Sequence, residues 1–177
     1  HQWLTVSNGS INYVEKIKDK ISGKIFLNSD VIKIKRVENG VYLIHKDGAK
    51  TFYDKVILAM HAPEALEILE DPSPKEVEIL SAFKYKANSA VLHSDNNILH
   101  PNRKMYAAWN YTSSNIENKA VTLTYWINSL QNLKTKKDYF VSLNETKNIK
   151  NVIENISYEH PQFDSKAILM QSRKDEI

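Results

Sequence analysis

An α+β fold is what this sequence predicts, and three observations carry the prediction. Helical and strand-like periodicities follow one another within a single short chain. Two tight-turn signals, Asn39-Gly40 and Asp47-Gly48, join three strand-length stretches into a meander. A second half, rich in Asn, Ser and Asp between alternating segments, reads as mostly strands.

The elements follow in order. Ser10 is placed to cap a helix whose apolar residues Ile11, Val14, Ile17 and Ile21 recur at helical spacing, and Gly23 is placed to stop it. This helix is expected to lie on a sheet, with Lys16, Lys18 and Lys20 in solvent. Residues 24–27 read as a strand, followed by a turn at Asn28-Ser29-Asp30. In the meander, residues 31–37 place Ile32 and Ile34 on one face and Lys33 and Lys35 on the other. Residues 41–46 and 50–53 complete it. Residues 56–60, Val-Ile-Leu-Ala-Met, form an unbroken apolar run, as in a strand covered on both faces. Pro63 then suits the first turn of a helix whose stripe is Ala65, Leu66 and Leu69. Ser73 and Glu76 make a capping box around Pro74, opening a helix to about Phe83. Later strands are expected over 88–94, 105–111, 119–128, 139–143 and 166–171, with a helix near 149–156. Within 119–128 the apolar set Val121, Leu123, Tyr125, Ile127 is expected to face a core, leaving Thr122, Thr124 and Trp126 on the other side. The Pro-rich turn near residue 72 sets the expected boundary between two lobes, 1–72 and 73–177.

Composition narrows the chemistry. The chain has 177 residues, 42% hydrophobic and 25% charged, with a net charge of +3. Its charges are interleaved, so no nucleic-acid partner is expected. The absence of cysteine removes disulfides and thiolate chemistry, and fits a cytoplasmic setting. No run approaches the roughly 18 apolar residues of a membrane span. No two of the six histidines sit at the helical spacing that makes a metal site, and none is expected. His93-Ser94-Asp95 lacks the nucleophile elbow a hydrolase triad needs, and catalytic residues stay unassigned. Trp109, Tyr111 and Trp126 on candidate strands either wall a pocket for a flat ring or an acyl chain, or fill a core.

The ordered motifs carry a resemblance. They are Leu27-Asn28-Ser29-Asp30-Val31, Tyr53-Asp54-Lys55-Val56-Ile57-Leu58-Ala59, His61-Ala62-Pro63-Glu64-Ala65-Leu66, His93-Ser94-Asp95, Trp109-Asn110-Tyr111, residues 125–131 and His160-Pro161. Together they resemble the central part of bacterial NAD/FAD-binding oxidoreductases of the flavin-containing amine-oxidase-like superfamily. The resemblance implies that residues up to about Met60 complete an FAD-binding domain and that the second lobe is a substrate domain. It implies that Val31 contacts the adenine edge through its backbone, and that Ala59, His61 and Pro63 lie near the phosphate and ribose of FAD. The family's Gly-x-Gly-x-x-Gly unit is expected upstream of His1, and a closing segment beyond Ile177. The expected partners are therefore the missing N- and C-terminal parts of its own chain and a small-molecule substrate, a lipid or an amine. The fragment alone is expected to be inactive and to retain no FAD, or only traces. The competing expectation is a non-enzymatic binding module that uses the aromatic sheet.

Overall fold

A computed structural model describes residues 4–113, 121–145 and 147–177. The chain forms two compact units, one of residues 1–24 and 87–159, the other of 25–86 and 160–177. The expected boundary near residue 72 therefore falls inside the second unit, between two helices that pack on each other.

The second unit is built on the meander. Strands β1 (Val31–Val37), β2 (Gly40–His45) and β3 (Lys50–Tyr53) pair antiparallel in that order. Gly40 fits its turn because a Cβ there would collide with the Phe52 ring and the Tyr53 carbonyl. Gly48 takes a φ of 87°, which favours glycine. Ile34 points into the core as expected. Ile32 does not, because a bulge between Val31 and Lys33 shifts the register and leaves it half exposed. Helix α2 (Ala62–Ile68) carries Pro63 in its first turn and buries Ala65. Helix α3 (Pro74–Leu80) opens with the predicted capping box: Glu76 N–H donates to Ser73 Oγ at 3.2 Å, and Ser73 N–H donates to Glu76 Oε2 at 2.7 Å. Arg36 reaches from β1 to the same carboxylate, Nη1 to Oε1 at 2.7 Å. That contact, first among several, holds the Glu76 carboxyl down at about 2.

Two expected strands of this unit are not formed. Residues 24–27 and 56–60 lie outside any strand, and the central apolar run that looked buried leaves Ile57 92% exposed. A strand needs a neighbour for its backbone groups, and none stands beside these segments among the described residues. The C-terminal expectation is also corrected. Residues 166–171 belong to helix α5 (Ser165–Gln171), where the Asp164 carboxylate accepts from Ala167 N–H at 2.8 Å and caps the first turn. Ala167 and Met170, three apart, are its buried residues, and Met170 packs with Ile79, Ala82 and Phe83.

In the first unit α1 (Ile11–Lys18) starts after Ser10, whose side chain makes no capping bond, and ends three residues before Ile21. No residue of α1 is buried, so the amphipathic stripe lies on no sheet here. A five-stranded sheet follows, in the order β5 (Trp109–Ser113), β6 (Val121–Trp126), β7 (Phe140–Leu143), β4 (Lys84–His93), β8 (Val152–Gln162). The pairs β5–β6, β6–β7 and β7–β4 are antiparallel. The expected strand over 105–111 begins only at Trp109, and the first two residues of the stretch expected from 119 lie outside the described residues. A short helix, α4 (Ile127–Leu130), follows β6. The helix expected near 149–156 is instead the start of β8. Val152, Ile153, Ile156 and Tyr158 are β-branched or aromatic, and that preference outweighs the helical spacing of Ile149, Ile153 and Ile156. As an edge strand, β8 tolerates Pro161.

Candidate functional site

The five-stranded sheet is turned over relative to expectation. Thr122, Thr124 and Ser142 are buried, Thr124 being 2% exposed, while their alternating partners Leu123, Tyr125, Val141 and Leu143 are only half buried. The buried polar side chains are satisfied in a chain of contacts. Asp95 N–H donates to His93 Nδ1 at 3.1 Å. His93 Nε2 therefore carries the ring proton and donates to Ser142 Oγ at 2.9 Å. Ser142 and Thr124 share a hydroxyl hydrogen bond of 2.7 Å. Phe140 stacks on the imidazole at 5.5 Å. Burial pushes the His93 imidazole below its ordinary value, against the raising pull of Asp95 and Glu145.

The other face presents two cross-strand rows. Trp109, Tyr125, Val141 and Leu92 stand opposite one another, and Tyr111, Leu123, Leu143 and Ala90 form the next row. Trp109 meets Tyr125 edge-on at 5.7 Å. Burial, with Tyr111 second, raises the Tyr125 phenol, which stays protonated. Trp109 is 48% and Tyr111 65% exposed. Beside Trp109 opens a cavity of about 590 Å³, lined by Leu4, Thr5, Ala108, Trp109, Leu130 and Gln131. That is ample for a small molecule. Among the described residues no carboxylate, imidazole or amine lines it, so the surface they present suits an apolar group better than a charged one.

Of the three predicted pocket residues, the structure brings together Trp109 and Tyr111 but not Trp126. The third sits on the opposite face, where its indole N–H donates to Asp138 Oδ1 at 3.0 Å. Arg103 donates to the same oxygen at 2.8 Å and lies 5.3 Å over the indole. Trp126 is thus a framework residue. Odd spacing from Tyr125 was the available signal, since adjacent strand residues point to opposite faces. Leu123 and Tyr125, whose face the sequence assigned to the core, share the half-open face with Trp109 and Tyr111, and of these four only Trp109 lines the cavity.

The four residues expected near FAD lie in the second unit. Val31 pairs with His45 at the start of β1. Beside it a groove of about 590 Å³ is lined by residues 26–30 together with His45, Lys46, Asp47, Ala49 and Thr51. Ala59 is exposed on the unpaired segment. His61 stacks on Tyr85 at 4.1 Å, its Nδ1 3.7 Å from Glu64. Pro63 lines a different depression with Leu66, Phe83 and Tyr85. These residues are not gathered around one cavity. The four glycines lie elsewhere, at 9, 23, 40 and 48, and leave no glycine-rich cradle for a pyrophosphate. By itself this set does not fit a dinucleotide.

Fold and site together define an α+β protein with a half-open aromatic sheet face beside an apolar cavity. No family model matches the chain, and no curated protein does. Among solved structures it is similar to a fatty acid isomerase from P. acnes that produces CLA, with a TM-score of 0.56 and 14% sequence identity. The similarity covers 89% of this chain and 42% of the isomerase, so the chain spans less than half the length of that enzyme. At this identity the likeness is one of fold. No helix among the described residues is long and apolar enough to cross a membrane.

Proposed function

We propose that the chain is the central part of a larger FAD-dependent oxidoreductase, amine-oxidase-like in sequence, whose sheet face of Trp109, Tyr111, Leu123 and Tyr125 holds an apolar, acyl-chain-like substrate. The observation behind this reading is the inverted sheet. A sheet that hides Thr, Ser and His while leaving Trp, Tyr and Leu half open has an apolar side waiting to be covered. The neighbouring cavity and the fold likeness to an enzyme of fatty acids support an acyl chain over an amine. FAD, when held by the longer polypeptide, would supply the redox chemistry. This chain's own part is to bind and orient, with Trp109 as an apolar wall and Tyr125 as a neutral one.

The test uses the polypeptide encoded by the whole reading frame. Purified, it should be yellow, and anaerobic addition of an unsaturated fatty acid should bleach the visible flavin band. Trp109→Ala should raise the concentration needed for half-bleaching by about tenfold, in line with the loss of one buried aromatic contact. A colourless protein would end the flavoenzyme reading. Bleaching by amines alone, or an unchanged response in Trp109→Ala, would end the acyl-chain reading. Fatty-acid binding by a colourless protein would instead favour a non-enzymatic binding module.

A further inference from the structure

Two loops of the first unit, residues 100–106 and 131–138, are pinned to each other. Arg103 Nη2 donates to Asp138 Oδ1 at 2.8 Å, and Tyr106 meets Trp126 and Phe140 edge-on. Asn128, itself buried, holds the second loop at three points. Its carboxamide donates to the Lys137 carbonyl at 2.8 Å and accepts from Tyr139 N–H at 2.7 Å, and its carbonyl accepts from Leu133 N–H at 3.0 Å. The two loops carry Arg103, Lys104, Lys134, Lys136 and Lys137, and the one acid among their residues is Asp138. That carboxylate is buried and engaged by Arg103 and the Trp126 indole. The four lysines are exposed, and among the described residues none makes an ion pair. Between the cations stand two exposed apolar side chains, Met105 at 64% and Leu133 at 38% exposure. Both loops also run into the lining of the apolar cavity: Ala108 and Trp109 follow the first, and Leu130 and Gln131 lead into the second. Exposed lysines interleaved with Met and Leu match an anionic lipid surface, where ammonium groups meet headgroup phosphates and apolar tips enter the acyl boundary. A single-stranded nucleic acid needs open rings to stack on, and the one Tyr, Phe or Trp in these loops, Tyr106, is packed against Trp126 and Phe140.

We propose that residues 100–106 and 131–138 dock the protein on an anionic membrane surface, with Lys134, Lys136 and Leu133 in contact with lipid, and that the neighbouring cavity takes its acyl chain from that membrane. The docking stands on the two loops; its use rests on the acyl-chain reading of the cavity.

Sedimentation of the whole-frame polypeptide with sucrose-loaded vesicles tests it. Vesicles of equal parts phosphatidylglycerol and phosphatidylcholine should carry the protein down, and phosphatidylcholine alone should not. Salt at about 1 M, where charges are screened beyond about 3 Å, should release it. Lys134→Gln with Lys136→Gln should weaken partitioning about twenty-fivefold, at about fivefold for each lysine near such a surface. Leu133→Ser should weaken it about tenfold. Lys16→Gln with Lys18→Gln, on α1, should leave it unchanged. No sedimentation with the anionic vesicles, unchanged partitioning of the Lys134 and Lys136 double variant, or an equal loss in the α1 variant would overturn the proposal. So would binding to a single-stranded RNA that the vesicles do not displace, which would make nucleic acid the occupant. Flavin colour separates this proposal from the preceding one. A colourless protein that sediments with the vesicles loses the oxidoreductase and keeps the docking, and a yellow one that stays in solution does the reverse.

Discussion

Replacing Ser142 by Ala should destabilise the first unit more than its size suggests. The hydroxyl removed is fully buried and joins His93 to Thr124. Its loss strands the His93 Nε2–H away from water, and a buried donor without an acceptor costs about 1–3 kcal/mol on top of the roughly 1 kcal/mol bond lost. Thr124→Val is the control. It keeps the volume and leaves Ser142 to accept from His93, so the loss falls on the hydroxyl–hydroxyl bond while the imidazole keeps its acceptor. The ordering Ser142→Ala above Thr124→Val should appear in urea unfolding as a shift in midpoint with unchanged slope. The same network has a pH signature. His93 is held neutral by burial, below its ordinary value of 6.5, so the neutral ring's contribution is complete above 6.5 and is lost as pH falls through the lowered native value. Geometry agrees, since protonation would set an Nδ1–H against the Asp95 N–H. His93→Gln should flatten that acid slope. Equal costs for the two hydroxyl variants, or a loss of stability setting in just below pH 6.5 that survives His93→Gln, would refute the account.

Other substitutions probe the second unit. Ile79→Ala, in the cluster with Ala82 and Met170, should cost about 2–5 kcal/mol by thermal or urea unfolding. Glu76→Gln removes a charged partner from Arg36 and weakens the capping box. It should cost about 1–3 kcal/mol at neutral pH. Because the native Glu76 carboxyl sits at about 2 against 4.5, its contribution is present above 4.5 and disappears as pH falls towards 2, so the variant and parent should converge in acid. Gly40→Ala should lower stability by about 1–3 kcal/mol, the price of moving the Phe52 ring.

Local chemistry was legible wherever a signal stays within a few residues. The capping box at Ser73, Pro63 in the first turn of α2 and the meander turns all appear where the sequence places them. What was not legible depends on distant partners. Alternation in β6 shows that Leu123 and Tyr125 share a face, but not which face water meets. The answer depends on β7, where Ser142 and Phe140 sit opposite Thr124 and Trp126. Residues 56–60 have the composition of a strand, and a strand exists only with a neighbour. At the C-terminus the error was one of weighting. Asp164 is an N-cap and Ala167 and Met170 have helical spacing, while β-branched residues in 152–158 favour extension.

Left-handed backbone in this chain is largely the province of asparagine. Asn8, Asn28, Asn132, Asn144 and Asn151 all have φ between 50° and 62°. An amide side chain can do more at such a corner than glycine can. Asn144 turns the chain out of β7, and its carboxamide oxygen accepts from Ser89 N–H at 3.0 Å while its NH₂ donates to Asn88 at 2.7 Å. Corner and clamp are one residue there, so hydrolysis of that single amide to a carboxylate would keep the bend and loosen the seam between two neighbouring strands.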